Sequence, residues 1–416
     1  MTIESVRHLA IAVIGGLLAM SAAGAGAAPP TPASNEAELL AVLRSDAPEA
    51  DKALTCKFLA IQGTPLAVGD LAALLANPRL ASWARIPLEA IPGPEAASAL
   101  RAAVATLEGR LLVGVINSLG ERADIASVPL LAGRLADPDA EVAAAAAWAL
   151  GRIATPEAAV LLSGAIEKAG SAERLDALAE AAVLCGAGLQ AAGKTDDAVA
   201  MYAAVLAADV VPQRRAEAVR GTIIAKGQDG IPLLGETLRS PVKRLANMAV
   251  YTARDLGRGE AADGALAVAV DRAILEEIEA ATSAEATQRA VVLLDVLAER
   301  NAGGASEAVT AGLARAAESS RPKAIRLAAI EALGRAGDAA VVGPLLVAAA
   351  DEDPGIADTA RAAVATLSGA AVDREIVVRL EGADATILPA LVELVGRRRI
   401  NAVGALLPLA GHPDEK

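Results

Sequence analysis

The chain has 416 residues, 54% hydrophobic and 21% charged, which supports a large core and excludes a disordered chain. Aromatics are 1% of residues and alanine dominates the apolar set, so helices that approach closely are expected and a sheet is not. A formal net charge of −13 opposes phosphate backbones, so nucleic acid is not expected as a partner.

Residues 1–27 have the pattern of an export signal. Arg7 supplies the positive start, which Glu4 weakens, and Leu9–Met20 is an apolar run too short to span a bilayer comfortably. Small residues in SAAGAGAAPP suit cleavage after Ala27, with Ala25 as the alternative. No cysteine stands there to take a lipid. No later stretch reaches 18 uninterrupted apolar residues, so the cleaved chain is expected to be soluble, exported, periplasmic and free of membrane.

Residues 28–34 form a stiff linker, and helical patterning begins at Asn35 with Ser34 or Asn35 as N-cap. Pro48–Gln62 is a second helix. Leu66–Ala76 and Arg79–Ala90 follow, broken at Asn77-Pro78, then Glu95–Glu108 and Arg110–Gly120. Ala126–Ala158 is the clearest unit. Val128, Leu131 and Leu135 make one apolar stripe, Asp137-Pro138-Asp139 a stop and restart, and Val142, Ala145, Ala149, Leu150 and Ile153 a second stripe. Such a helical pair cannot bury its apolar face alone, so it must stack on copies of itself.

Ser171–Ala192 is longer than its neighbours, and Thr195–Ala208 returns after a Gly193-Lys194 turn. Short pairs resume at Gln213. Ile231–Arg239 and Val242–Leu256 flank Ser240-Pro241, and Glu260–Ala280 precedes Ala284–Arg300. Ser306–Glu318 precedes Lys323–Arg335, Val341–Ala350 and Ile356–Leu367 flank Asp353-Pro354, and Val372–Leu380 precedes Ala385–Arg398. Ala402–Lys416 matches only the first half of the clearest unit, with His412-Pro413-Asp414 where that unit has Asp137-Pro138-Asp139. An incomplete last repeat is expected at 402–416, either the edge of a fragment or a single helix acting as a lid.

The pattern V-P-x-L-x-x-x-L-x-D-P-D followed by V-x-x-x-A-x-x-A-L-G-R-I, carried by Val128 to Ile153, resembles HEAT repeats in the short form of phycobilisome-lyase-type proteins. Ile325–Gly334 and Pro344–Leu367 carry it next best. Arg326 matches the arginine that in this family bonds turn aspartates, whereas Ala143 takes that place in the clearest unit. Gly186, Leu189, Gly193, Ala198 and Tyr202 resemble a tetratricopeptide hairpin at about 172–208, with Tyr202 filling a groove between small residues; an ordinary repeat with a longer helix is the alternative. With the export signal, the whole resembles a group of exported bacterial HEAT-repeat proteins. The resemblance implies an all-α, right-handed α-α superhelix of armadillo type over residues 35–416, whose second helices line a concave face that binds proteins or peptides.

Chemistry narrows the function further. His8 and His412 are the only histidines, so no HExxH or paired His-Glu site exists, and neither a metal nor another cofactor is expected. Cys56 and Cys185 sit in apolar helical stripes about four repeats apart, so they are expected to be buried and unpaired. The acidic pairs Asp196-Asp197, Glu276-Glu277 and Asp351 with Asp353 fall at turns or on exposed helix faces, as caps and solubilising groups. Arg397-Arg398-Arg399 is expected to be the solvated end of one helix. There is no phosphate-loop, nucleophile-elbow or C-x-x-C motif, and Gly257-Arg258-Gly259 is too short to cradle a phosphate. Trp83 and Trp148 remain as large aromatics, and Trp148 is the candidate protein contact. The expectation is a non-enzymatic, exported protein-binding scaffold of open oligomeric state. The alternative is the accessory solenoid of a larger enzyme whose catalytic domain is absent.

Overall fold

The computed structural model describes residues 30–258, 264–302 and 304–408. The expected export signal and its cleavage sites, both histidines, Gly259 and the His412-Pro413-Asp414 turn lie outside the described residues. Among the described residues there are α-helices and short 3-10 turns but no strands, and no helix is long and apolar enough to cross a membrane. The chain divides into two compact units between Ala149 and Leu150.

The first unit holds α1 (Glu36–Arg44), α2 (Glu49–Gln62), α3 (Val68–Ala73), α4 (Ala81–Ala90), α5 (Pro94–Val104), α6 (Gly109–Glu121), α7 (Val128–Ala132) and most of α8 (Ala140–Ile153). Each odd helix up to α5 packs on its even successor. Odd helices also stack on odd ones, α1 on α3 and α3 on α5, and even on even, α2 on α4 and α4 on α6. The result is a first layer of odd helices and a second layer of even ones, with Leu39, Leu59, Leu71, Leu88, Leu100 and Ile116 fully buried between them. Asn35, not Ser34, is the first N-cap: it accepts from the Glu38 amide while Glu38 reaches back to the Asn35 amide.

The second unit continues the alternation. It holds α9 (Pro156–Glu167), α10 (Ala172–Ala191), α11 (Thr195–Ala207), α12 (Pro212–Lys226), α13 (Ile231–Leu238), α14 (Lys243–Asp255), α15 (Gly264–Glu279) and α16 (Ala284–Arg300). It ends with α17 (Glu307–Ala316), α18 (Lys323–Ala336), α19 (Val342–Ala349), α20 (Pro354–Thr366), α21 (Ala370–Glu381), α22 (Leu388–Arg398) and the short α23 (Val403–Leu406). Even helices again stack on even ones from α10 to α22. Tyr202 of α11 lies in the groove expected for it, against Gly186 of α10, and it also fills the space over Gly221 of α12. A β-carbon at Gly186 would fall 2.6 Å from the tyrosine ring. Each unit is an α-solenoid of stacked helical hairpins.

Two local devices recur. The short first-layer helices α3, α7, α13 and α19 are each entered through a 3-10 turn, at Pro65–Ala67, Ile125–Ser127, Gly227–Gly230 and Ala339–Val341. The turn out of each is closed by one side chain that accepts from the amide two residues on: Asn77 from Arg79, Asp137 from Asp139, Ser240 from Val242, and Asp351 from Asp353. In the last copy Asp351 is the counterpart of Asp137, and Asp353 caps α20, accepting from Gly355 and Ile356.

The second device joins one repeat to the next. A helix leaves its last carbonyls without partners, and they carry the negative end of its dipole. Arg122, just past α6, donates to the carbonyls of Leu88 (2.7 Å), Ile91 (2.8 Å) and Gly93 (2.8 Å) at the end of α4. Arg300, ending α16, donates to Ala253 (2.8 Å) and Leu256 (2.7 Å) at the end of α14, and its Nε to Asp271 (2.5 Å) of α15. Arg398, ending α22, reaches Val364 (3.0 Å), Ala365 and Leu367 at the end of α20, and Asp373 (2.9 Å) of α21. Each arginine closes the second-layer helix of the preceding repeat.

This corrects the expectation for Arg397-Arg398-Arg399. Arg398 is not solvated, with a side chain 8% exposed; Arg397 pairs with Glu393, and Arg399 terminates the helix in the left-handed region. The guanidinium is drawn in because five donors in a planar fork meet several carbonyls at once, which an ammonium cannot do. Arg300, 2% exposed, is held more deeply than Arg398. Arg300→Ala should therefore lower stability by about 3 kcal/mol or more, and Arg300→Lys should recover less than half of that. Urea unfolding followed by circular dichroism checks both.

Candidate interaction surface

The outward faces of the even helices are the candidate surface, because their inner faces are spent on the core. In the first unit this side carries Leu54, Lys57 and Ile61 on α2, spaced three and four residues apart and all exposed. On α4 it carries Trp83 and Ile86. The Lys57 ammonium lies 4.8 Å from the Trp83 ring centroid, a cation–π contact that ties α2 to α4.

On α6 two glycines admit side chains from both neighbours. The Arg85 guanidinium rests on Gly114 and donates to its carbonyl at 2.8 Å. The Trp148 ring of α8 rests on Gly120, where a β-carbon would fall 2.9 Å from the ring and 2.8 Å from the Ala149 backbone. Trp148, the residue singled out by sequence, is thus half-buried: it shares the outward stripe of Glu141 and Ala144 and also fills the α6–α8 crossing. Trp83 joins it on the same layer of the same unit. The signal for Trp83 was present in the sequence as the other tryptophan, but the cation beside it, on a helix 26 residues earlier, was not visible there.

Between α4 and α6 lies one charged network. Glu89 accepts from the Ser118 hydroxyl at 2.6 Å, beside Arg85 and Arg122. Burial raises the Glu89 carboxyl above the usual glutamate range, and the Ser118 hydrogen bond and Arg85 offset only part of that.

In the second unit the corresponding side is laced with ion pairs between repeats. Arg214 of α12 binds Asp176 (3.1 Å) and Glu180 (2.6 Å) of α10 as well as its own Glu217 (2.9 Å). Arg254 of α14 binds Glu299 (2.8 Å) of α16, whose Asp295 binds Arg335 (2.7 Å) of α18. Arg361 of α20 binds Asp358 (2.5 Å) and approaches Glu393 of α22. Exposed pairs of this kind add about 0–1 kcal/mol each, so they neutralise the surface more than they stabilise it.

The other sequence-selected residues are structural. Cys56 and Cys185 are buried and free, and burial pushes both thiols up to about 12, far from thiolate chemistry at neutral pH. Asp196 and Asp197 lie in the first turn of α11. Asp351 bonds Arg326, the pairing that the family resemblance implied, and Asp353 bonds Lys323. Glu277 departs from expectation: it is 8% exposed, not on an exposed face, and Arg239 at the end of α13 folds over it. Burial raises its carboxyl, with Arg239 opposing. Among the described residues no cluster of three His, Cys, Asp or Glu side chains is placed to hold a metal ion.

Residues 108–182, from the N-cap of α6 into α10, match the family model for HEAT repeats. The chain is an all-helical α-solenoid, and this segment is its HEAT-like part. No curated protein matches the chain. Among solved structures it is similar to human deoxyhypusine hydroxylase in complex with glycerol (20% identity, 72% of this chain, 95% of that one, TM-score 0.30). It is also similar to an engineered protein (15% identity, 87% and 98%, TM-score 0.35). A third is yeast importin-beta (13% identity, 90% and 57%, TM-score 0.43). The fold assignment rests on the pairing and layering of this chain's own helices.

The raised Glu89 carboxyl has a defined pH signature. A group that holds its proton more tightly folded than unfolded costs stability as pH rises from its ordinary range through its folded value. Glu89→Gln removes that cost, so the difference in Tm, variant minus parent, should climb as pH is raised from the ordinary glutamate range, about 4, upward. A difference that stays flat over that rise, read by thermal scans, would place Glu89 in ordinary solvent.

Proposed function

We propose that this chain is a non-enzymatic, exported scaffold that binds a protein partner on the outward side of its second helical layer. The observation that carries the reading is the surface of the first unit, where both tryptophans and the exposed Leu54, Ile61 and Ile86 lie on the even helices α2, α4 and α8. Large aromatics and flanking aliphatics on a rigid helical platform are the make-up of interaction hot spots. The platform is stiff because Gly114 and Gly120 let neighbouring side chains interlock, so little ordering is lost on binding.

The occupant that fits is a protein segment that offers an apolar anchor to the Trp83–Ile86 ridge. The match of residues 108–182 to HEAT repeats supports a binding role. Export, with the periplasm as destination, rests on the pattern of residues 1–27. The reading of a role without catalysis rests on the scarcity of histidines, His8 and His412 being the only two.

A photo-crosslinking residue at Ile61 or Ile86 should give a discrete protein adduct in the native compartment. Trp83→Ala should reduce that adduct about tenfold. The same probe at Val347, exposed on first-layer α19, should give none. Equal labelling from both layers, or an adduct indifferent to Trp83→Ala in a folded protein, contradicts the reading.

A further inference from the structure

The ion-pair lacing of the second unit leaves several cations of α12 and α14 out. Residues 239–258 carry five cations, Arg239, Lys243, Arg244, Arg254 and Arg258, against one acid, Asp255, in a chain whose net charge is −13. Arg239 and Arg254 are committed to Glu277 and Glu299. Lys243 and Arg244 on α14, and Arg220 on α12, are exposed and have no ion-pair partner among the described residues. The acid that shares the outward face of α12, Glu217, is held by Arg214.

An aromatic lies in the same stripe. Arg244, Asn247 and Tyr251 are spaced three and four residues apart on α14, so they share one face. Tyr251 is 62% exposed, whereas the other tyrosine, Tyr202, is buried at 2%. The Arg254 guanidinium lies 5.9 Å from the Tyr251 ring centroid and is itself held by Glu299 at 2.8 Å. Tyrosine and arginine are the residues that interface cores select.

We propose that the α12–α14 face of the second unit is a docking surface for an acidic peptide segment with one apolar anchor residue. The carboxylates pair with Arg220, Lys243 and Arg244, and the anchor packs on Tyr251. At physiological salt the Debye length is about 8 Å, so the acids elsewhere on the chain are screened and the local cations decide. Arginine favours carboxylates because its fork matches them two bonds at a time. This surface is separate from the first-unit ridge, and neither proposal needs the other.

The test uses the full chain and a fluorescein-labelled peptide of alternating Glu and Asp with a central Leu. An isosteric Gln/Asn peptide is the control, and binding is read by anisotropy. The acidic peptide should bind and the control should not. Combined Arg220→Glu, Lys243→Glu and Arg244→Glu should weaken binding about tenfold or more, and Tyr251→Ala about threefold to tenfold. All four positions are exposed, so circular dichroism should be unchanged. Failure of the parent chain to bind the acidic peptide overturns the proposal. So does a charge-reversed variant that binds as tightly as the parent, or binding of anionic lipid vesicles or single-stranded DNA in preference to the peptide.

Discussion

Stacked short helices create many helix ends, and each end leaves carbonyls that must find donors. At three second-layer ends in this chain an arginine from the adjoining repeat supplies them. Arg122, Arg300 and Arg398 sit at equivalent places, at the end of one second-layer helix and over the end of the one before it. Arg300 and Arg398 also hold an aspartate of the intervening first-layer helix, Asp271 and Asp373. One side chain thus ties three helices together, and the tie has a directional, bonded geometry that alanine packing lacks. Shorter-range versions close first-layer ends within a repeat: Arg215 reaches the Leu206 carbonyl, Arg326 the Ala317 carbonyl and Arg361 the Ala349 carbonyl.

With the ends closed this way, the outward faces of the second layer are free to differ. The first unit offers tryptophans and aliphatics, set by glycines that let neighbouring side chains sink between helices. The second unit offers charge, much of it paired across repeats, with Arg220 of α12 and Lys243 and Arg244 of α14 left over. A thin, alanine-rich core supplies the same support to both, so surface chemistry changes along the chain without a change of fold.

Most of the fold was legible in the sequence. The apolar stripes placed Ala140–Ile153, Ala172–Ala191 and Ala284–Arg300 close to their ends, because helical periodicity is strong there and the caps are Ser171 and Ser283. The groove filled by Tyr202 and the burial of both cysteines followed from small-residue spacing and apolar context. Arg398 and Glu277 were misjudged for a shared reason. A charge run gives no sign of which member turns inward, since the deciding partners, the α20 carbonyls and Arg239, are more than thirty residues away. For the same reason Trp148 was selectable by type alone, while the ridge around Trp83 needed α2 and α4 side by side.

The central claim is that these arginines couple successive repeats through backbone carbonyls. Hydrogen exchange by mass spectrometry on Arg398→Lys against the parent chain tests it most directly. Coupling predicts faster exchange at three separate places: the α20 C-terminal turn around Val364–Leu367, α21 near Asp373, and the end of α22. Faster exchange confined to the end of α22, with α20 and α21 as protected as in the parent, would contradict it.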